Sequence, residues 1–324
     1  MAGEFNLIEK YFVARQQNRA DVILAAGDDC AIVSVAQGQH VAISTDTLVA
    51  GTHFLADADP AMVAHKALAS NISDLAAMGA TPAWVSFALT MPEVDEAWLK
   101  PFCDSFFALA DQFNIQLVGG DTTKGPLSLT LTVQGLIPSG QSLRRDTAKV
   151  GDRIYVTGDL GDSKAGLDVI LDPSLSTRPF AQQLMRRHYL STPQIALGEA
   201  LRGIASAAID ISDGLISDLQ HILRCSGLGA RVDIDTLPFS QELCEFIGSR
   251  EGAQRYALTS GEEYELCFTV PDSKREEFEQ VISTHAVKVS CIGQTCHGSD
   301  IELHQNSLAL DWQLSGYDHF KVGL

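Results

Sequence analysis

One stretch, Ile23 to Val49, constrains the fold of this chain more than any other (ILAAGDDCAIVSVAQGQHVAISTDTLV). Two runs of β-forming apolar residues, Cys30–Val35 and His40–Thr45, flank a short segment around Gly38. A glycine between two such runs is typical of a tight chain reversal. The pattern therefore predicts a β-hairpin that folds about Gly38.

Counting outward from the turn of this predicted hairpin places Asp29 beside Asp46 and Thr47, at one end of one sheet. Carboxylates crowded in this way repel each other, and a hard divalent cation is the usual remedy. The alternative is that Asp and Gly merely mark strand ends. Further acidic motifs downstream favour the metal interpretation.

The composition limits the classes of function. With 324 residues, the chain exceeds one typical core, so one large or two medium domains are expected. Lys and Arg number 23 against 41 Asp and Glu, a net charge of −18. This balance argues against nucleic acid or an anionic membrane as a partner. Phosphate ligands remain compatible with it if bound cations reverse the local field.

The seven cysteines are odd in number, scattered, and without a CxxC motif. They are expected to be buried thiols in a reducing compartment. The N-terminus lacks a basic region followed by an apolar one, and no apolar run reaches the length needed to span a membrane. The sequence therefore predicts a cytoplasmic protein.

A helix is predicted from Pro60, with Asp59 as its N-cap and Gly79 just beyond its C-terminus. Asn71 and Asp74 lie three residues apart, so they share one face of this helix. They are either plain surface residues or part of a functional site, and the spacing alone leaves both open.

A second acidic motif follows a predicted strand at Ile115–Val118 and precedes another at Leu127–Ile137. Here Gly119 and Gly120 stand before Asp121 on a predicted turn. Such glycines let the backbone approach a phosphate, while the carboxylate reaches a metal. The polar segment that begins at residue 144 predicts a domain boundary between residues 148 and 149.

A third motif in the second half combines a buried acid with a helix start. Asp210 interrupts the apolar strand Ala207–Ile211, and Ser212 or Asp213 suits the N-cap of the next helix. A cap does not explain Asp210, because an unpaired carboxylate inside an apolar strand is costly. The loop at residues 158–164 lacks the GxxxxGK[ST] pattern of a P-loop, and GxSxG and the protein-kinase motifs are absent.

Six aspartates in these motifs are separated in sequence, yet each lies at a strand end or on a helix face: Asp29, Asp46, Asp74, Asp121, Asp210 and Asp213. Oxygen ligands without His or Cys at metal spacing indicate Mg²⁺ or Mn²⁺. Several such ligands suggest more than one ion, as when a nucleoside triphosphate is neutralised. The residues alone predict a Mg²⁺-dependent phosphate-handling enzyme without a P-loop.

The combination and order of these motifs resemble the thiamine-monophosphate kinase family, over nearly the whole chain from Glu4 to Phe320. The motifs that carry the resemblance are GDDCA at 27–31, STD at 44–46, NISDLAAMG at 71–79, GGDT at 119–122, DISDG at 210–214, GEEYEL at 261–266 and GYDHF at 316–320. This family belongs to an ATP-binding superfamily that includes aminoimidazole ribonucleotide synthetase and selenophosphate synthetase.

The resemblance implies a two-domain α/β fold. Residues 1–148 would form an α+β domain with a mixed sheet that binds ATP and Mg²⁺ and pairs with its copy in a homodimer. Residues 149–324 would form an α/β domain that completes the active-site cleft. The implied reaction is direct in-line transfer of the γ-phosphate of ATP to thiamine monophosphate, with several Mg²⁺ ions.

The resemblance also implies roles for individual residues. Ligands of Mg²⁺ would be Asp29, Ser44, Thr45, Asp46, Asp74, Asp121, Asp210 and Asp213. Contacts to ATP would come from Gly120, Asp121, Arg145 and Ser212, and contacts to thiamine monophosphate from His53, Glu263 and Tyr317. The family usually has Asp at the position of Glu263, and many members have Trp at that of Tyr317. No general base is expected, since an oxygen of a phosphate monoester is already a nucleophile at neutral pH.

Two alternatives differ in class. A sister synthetase of the same superfamily would use ATP to activate an amide or a selenide, but selenophosphate synthetase is disfavoured because no reactive Cys lies in a glycine-rich N-terminal segment. A non-catalytic Mg-nucleotide sensor would keep the ATP ligands and would be free to lose the acceptor residues. The presence of His53 and Tyr317 favours the enzyme.

Overall fold

The computed structural model of this chain describes residues 4–15, 18–312 and 314. The chain divides into two compact units: unit one comprises Met1–Leu75 and Ala80–Gly140, and unit two comprises Ala76–Gly79 and Gln141–Leu324. The functional division at residue 148 stays a prediction.

Unit one is built on a four-stranded sheet in the order β3-β6-β4-β5. The strands up to residue 138 are β1 Val22–Leu24, β2 Ile32–Val33, β3 Gln39–Val49, β4 Thr81–Met91, β5 Gln116–Lys124 and β6 Ser128–Pro138, and the helices are α1 Glu4–Tyr11, α2 Pro60–Ala77 and α3 Glu96–Gln112. Strands β4 and β5 run parallel, whereas β6 is antiparallel to both β3 and β4. This confirms the predicted mixed sheet.

One face of this sheet forms the core of unit one. Alternate residues of β6 are buried, as expected for a strand with one covered face. Helix α3 packs on this sheet, since the Phe87 ring of β4 stacks on Phe102 and Phe106 at centroid distances of 5.7 and 5.6 Å. On the opposite face, Ile43 of β3 keeps 66% of its surface exposed.

The predicted hairpin about Gly38 is wrong. Gly38 does form a turn, with a φ of +83°. However, β2 pairs with β1, and β3 pairs along its whole length with β6 from Gln39–Pro138 to Val49–Ser128. A glycine turn signals that the chain reverses, but long-range pairing decides which strands become neighbours.

The predicted turn at residues 119–123 is also wrong, because these residues lie within β5. Gly120 pairs with Phe87 of β4, and a Cβ at Gly120 would lie 1.9 Å from the Phe87 carbonyl oxygen. Glycine is needed here because two backbones approach closely, as is often true of glycine inside strands.

The predicted ends of helix α2 are confirmed. The Asp59 side chain accepts a hydrogen bond from the backbone N–H of Ala61 at 2.9 Å. At the other end, Gly79 has a φ of +65°, and the N–H of Ala80 donates to the Leu75 carbonyl at 2.7 Å. This is the glycine-terminated helix end that the sequence predicts.

Unit two contains a seven-stranded sheet in the order β13-β12-β9-β11-β7-β10-β8. Its strands are β7 Arg153–Thr157, β8 Ala207–Asp210, β9 Gly229–Asp233, β10 Leu266–Val270, β11 Val289–Cys296, β12 Ile301–Gln305 and β13 Leu308–Leu310. Its helices are α4 Asp162–Leu171, α5 Ala181–Tyr189, α6 Ile195–Ala200, α7 Leu215–Ser226, α8 Gln241–Ile247, α9 Arg250–Thr259 and α10 Arg275–Ser283. Strands β9 and β12 are parallel, and the other pairs are antiparallel. The two-domain α/β fold class is therefore confirmed.

The cysteines are all free thiols, but the prediction that they are buried is wrong for most of them. Cys103 and Cys267 are buried, whereas Cys30, Cys225 and Cys291 are exposed. None of the described helices is both long enough and apolar enough to span a bilayer.

Candidate active site

A cavity in unit one brings two of the predicted motifs together. Its volume is about 190 Å³, and residues 27–31 and 119–122 line it, so Asp29, Gly120 and Asp121 share one space. The apolar wall includes Phe12 of the N-terminal segment and Phe87 of β4. Gly120 allows β5 to lie close to the Phe87 backbone, and both residues line this cavity.

A second acidic group in unit one joins β3 to α2. The Ser44 hydroxyl donates to Asp74 Oδ2 at 2.5 Å. Burial, together with the negative charge of Asp74, raises the pKa of Asp46 to about 6. The structure therefore brings Ser44, Asp46 and Asp74 into one group, although Asp46 and Asp74 belong to different elements.

This group fits a hard divalent cation in its chemistry. Its ligand atoms are oxygens only, and the charge of Asp74 makes ionisation of Asp46 more costly, which a cation would relieve. In the ranges the structure describes, no set of three or more His, Cys, Asp or Glu side chains is arranged to hold a metal ion. Mg²⁺ typically completes its shell with water and substrate phosphates, so two protein carboxylates are compatible with it.

Thr45 does not join this group through its side chain. Successive side chains of a strand point to opposite faces. The Thr45 hydroxyl is exposed and pairs with the Thr132 hydroxyl at 2.9 Å. Thr45 would reach a metal beside Asp46 only through its backbone carbonyl.

His53 lies in the turn that leaves β3. Its Nδ1 accepts a hydrogen bond from the backbone N–H of Val49 at 3.0 Å. An accepting Nδ1 requires the neutral ring to carry its proton on Nε2, which makes Nε2 a donor.

In unit two, Asp218 accepts hydrogen bonds from the backbone of the segment at residues 210–214. This role was not predicted from the sequence. Asp218 Oδ2 accepts from the backbone N–H groups of Ser212 and Asp213, each at 3.0 Å. Burial raises the pKa of Asp218 to about 7. The sequence does contain a signal for this role: Asp218 lies in the first turn of the helix that follows Ser-Asp-Gly. Acids at this position often accept hydrogen bonds from the free N–H groups at the start of a helix. Asp210 itself is buried, with 3% of its surface exposed.

Glu263 is buried and holds the start of α4. Its Oε1 accepts from the backbone N–H groups of Gly161 at 2.8 Å and Ser163 at 3.2 Å, and from the Ser260 hydroxyl. Burial raises its pKa to about 7. This oxygen is thus engaged inside unit two.

The backbone on either side of Glu263 is strained. Glu262 and Tyr264 have φ angles of +58° and +54°, which non-glycine residues rarely adopt. Their N–H groups donate to the carbonyls of Ser212 and Ile211 at 2.8 and 2.9 Å. Such strain is typical of functional sites. The two hydrogen bonds hold this turn against the segment that carries Asp213. No sequence pattern shows a positive φ at these positions.

Two further residues of the predicted site are not among the groups described above. Arg145 is exposed, and its carbonyl accepts from the Ser226 hydroxyl at 3.0 Å. No hydrogen bond or ion pair of the Arg145 side chain is found within the described part of the chain, whereas Arg144 pairs with Asp146. Tyr317 lies outside the described residues.

Models of two protein families match this chain. The AIR synthase related protein, N-terminal domain, matches residues 27–137, and the AIR synthase related protein, C-terminal domain, matches residues 149–306. These two matches together cover most of the chain.

Curated and solved relatives cover nearly the full length. The thiamine-monophosphate kinase of Salmonella typhimurium is 53% identical over 322 residues, which is 98% of each chain. The crystal structure of the thiamine-monophosphate kinase of Stenotrophomonas maltophilia is 41% identical, with a TM-score of 0.86, over 95% of this chain and 98% of that one. The structure of AaThiL complexed with AMPPCP and TMP is 30% identical, with a TM-score of 0.77, over 98% and 97%.

Proposed function

This chain belongs to the thiamine-monophosphate kinase family, and from that premise we propose that it transfers the γ-phosphate of ATP to thiamine monophosphate. The products are thiamine diphosphate and ADP. The similarity to AaThiL, which was solved with AMPPCP and TMP, supports this pair of substrates. The observation that carries the proposal is the group of Ser44, Asp46 and Asp74, an oxygen-only set in which the charge of one carboxylate disfavours ionisation of the other.

We propose that Mg²⁺ is the metal. The residues that would hold it are Asp29, Ser44, Thr45, Asp46, Asp74, Asp121, Asp210 and Asp213, with Thr45 acting through its carbonyl. When bound, Mg²⁺ neutralises phosphate oxygens and so lets two anionic groups approach.

Gly120, Asp121, Arg145 and Ser212 are proposed contacts of ATP. Support for Gly120 comes from the cavity that it lines and from the close strand contact that only glycine permits. The exposed Arg145 side chain suits the bidentate binding of phosphate, for which a planar guanidinium is better shaped than an ammonium.

His53, Glu263 and Tyr317 are the proposed contacts of thiamine monophosphate. The Nε2–H donor of neutral His53 matches a phosphate oxygen. Glu263 would reach the acceptor only through Oε2, since Oε1 is engaged at the start of α4. An aromatic side chain such as Tyr317 suits the cationic thiazolium.

The chemistry requires positioning and charge compensation, without a side-chain base. An oxygen of the acceptor phosphate is already ionised at neutral pH and attacks the γ-phosphorus in line. Holding both phosphates in that alignment provides much of the rate enhancement. The turn of residues 262–264 and the capping by Asp218 keep this chain's own segments rigid for that purpose.

We also propose a homodimer that forms through the open face of the unit-one sheet. Val41 and Ile43 of β3 expose apolar surface on that face. The side-chain oxygen of Gln134 is buried there, and no described residue donates a hydrogen bond to it. A cytoplasmic location is proposed as well, since the free thiols suit a reducing compartment. Sedimentation of wild type and Ile43→Lys tests the dimer, because a charge on that face should produce monomers.

The experiment that tests the function is phosphate transfer from γ-labelled ATP, with and without Mg²⁺. Label should move to thiamine monophosphate and give thiamine diphosphate, and free thiamine should be a very poor acceptor. ATP hydrolysis or binding without transfer would instead indicate a nucleotide sensor. Equal transfer to free thiamine would indicate a kinase that acts on a hydroxyl group.

A further inference from the structure

Lys66 is the one lysine or arginine that is buried among the described residues of this chain. It lies on α2, and 1% of its surface is exposed. Its neighbours Ala67 and Leu68 are also buried. Burying an ammonium group is costly unless hydrogen bonds and charges compensate for it. A lysine buried in this way is held by specific contacts of its ammonium group, and one of these contacts reaches the turn after β3.

The Lys66 ammonium holds the turn that carries His53. Lys66 Nζ donates to the His53 backbone carbonyl at 2.8 Å. From the other side, the His53 N–H donates to the Val49 carbonyl at 2.9 Å, and Nδ1 accepts from the Val49 N–H at 3.0 Å. His53 is therefore fixed between the end of β3 and helix α2, both in its backbone and in its ring.

We infer that Lys66 is a positioning residue for the acceptor phosphate. This inference rests on the proposed function, in which His53 contacts thiamine monophosphate. Lys66 acts through His53: it fixes the peptide from which the imidazole projects, so that the Nε2–H donor is already oriented when substrate arrives. Preorganised donors of this kind bind more tightly, since little ordering remains to be done.

The test is Lys66→Met, which keeps the length of the side chain but removes the charge and the donor. The KM for thiamine monophosphate should rise roughly 10- to 100-fold, as for loss of a hydrogen bond to a charged group, while the KM for ATP stays within about twofold. Leu68→Ala is the matched control, because it removes buried volume from the same helix and leaves the hydrogen bond from Lys66 to His53 in place. It should lower the melting temperature and leave both KM values unchanged.

A double-mutant cycle separates positioning from general stability. His53→Ala should also raise the KM for thiamine monophosphate, and adding Lys66→Met to it should change that KM by less than about twofold. Effects that multiply would show that Lys66 does not act through His53. A Lys66→Met protein with a lower melting temperature and an unchanged KM would show a structural role only. Either result overturns the inference and leaves the proposed function intact.

An unchanged KM in His53→Ala alone would refute the proposed substrate contact of His53, and the role of Lys66 would fall with it. If Lys66→Met does not fold, Lys66→Gln replaces it in the double-mutant cycle with His53→Ala. Glutamine keeps a hydrogen-bond donor but carries no charge. The expected outcome is then the same split between the two KM values, with a smaller rise for thiamine monophosphate.

Discussion

Carboxylates with raised pKa values occur in both units, but their surroundings differ. In unit one, the pKa of Asp46 rises to about 6 because the group is partly buried and faces Asp74. In unit two, the pKa values of Asp218 and Glu263 rise to about 7, mainly because burial removes them from water. The direction of the shift is thus the same, and it does not by itself identify a ligand.

The hydrogen-bond donors distinguish the two cases. Asp218 accepts from two backbone N–H groups, and Glu263 accepts from two more and from a hydroxyl. For Asp46, the described residues contribute no hydrogen bond. A carboxylate with a raised pKa that accepts several hydrogen bonds holds the backbone in place. A carboxylate with a raised pKa that accepts none has oxygen lone pairs open to a cation.

Asp46→Asn should have the largest effect, because it removes charge from the open group and keeps its shape. We expect kcat/KM to fall roughly 10²- to 10³-fold, comparable with loss of one strong electrostatic contact to a transition state. The free protein should be no less stable, since repulsion from Asp74 is removed. Steady-state kinetics and melting curves without ligands measure both quantities.

The control for this prediction is Asp111→Asn, which removes the same charge from an exposed position on α3. It should leave kcat/KM and the stabilisation by Mg-ATP unchanged, whereas Asp46→Asn should reduce that stabilisation. An Asp46→Asn protein that unfolds more easily than wild type would place Asp46 with the structural carboxylates of unit two.

Asp218→Ala should mainly lower the stability of the protein, whereas Asp46→Asn should mainly lower its activity. It leaves the N–H groups of Ser212 and Asp213 without their acceptor, so the free energy of unfolding should fall by about 2–3 kcal/mol. Asp218→Asn keeps an acceptor oxygen and should cost less than half as much. Urea unfolding measures the difference, and an Asp218→Ala protein as stable as wild type would contradict the structural role.

Glu265 extends the contrast to pH. Its Oε2 accepts from Gln194 at 3.0 Å and from the Thr157 hydroxyl, and burial raises its pKa from an ordinary 4.5 to about 7. Because the folded pKa lies above the unfolded value, its favourable contribution is complete below about pH 4.5 and is lost as the pH rises to about 7.

Glu265→Gln should therefore stabilise the free protein at pH 8. The gain should be on the order of 2–3 kcal/mol and should vanish near pH 4, as the shift in pKa requires. The glutamine oxygen can retain both hydrogen bonds. Unfolding across this pH range measures the slope, and a gain that does not depend on pH would mean that packing, not charge, is responsible.

Local signals in the sequence were enough for part of this structure. The helix between Asp59 and Gly79 was predicted from its caps, because capping is decided by residues next to one another. For Ser44, Asp46 and Asp74, the sequence predicts that all three provide oxygen ligands, but it does not predict how they lie relative to one another. Their geometry depends on how α2 meets β3, which no local pattern encodes.

Long-range pairing explains the errors. The turn at Gly38 exists, yet β3 pairs with β6, a strand far along the chain. The glycine at 120 predicts a turn from sequence, but in the structure it allows β5 to approach Phe87. Asp218 was missed because its role appears only once the backbone of Ser212 and Asp213 is folded around it. Glycine and aspartate serve several purposes, and only tertiary contacts choose among them.

The smallest expected effect concerns the two faces of β3. Ser44 and Thr45 are adjacent, but only the Ser44 hydroxyl contacts an acid of the site, Asp74, at 2.5 Å. Thr45→Val removes an exposed hydrogen bond between neutral hydroxyls, so kcat/KM should change by less than about twofold and stability by about 0.5–1 kcal/mol. Ser44→Ala should lower kcat/KM by roughly 5- to 10-fold, since it removes a donor to a charged group. Measuring both variants at saturating and limiting Mg²⁺ compares the faces directly, because the Ser44→Ala defect should grow as Mg²⁺ falls. If Thr45→Val were the more damaging change, the exposed face of β3 would be part of the site. The group of Ser44, Asp46 and Asp74 would then not be the metal site of unit one.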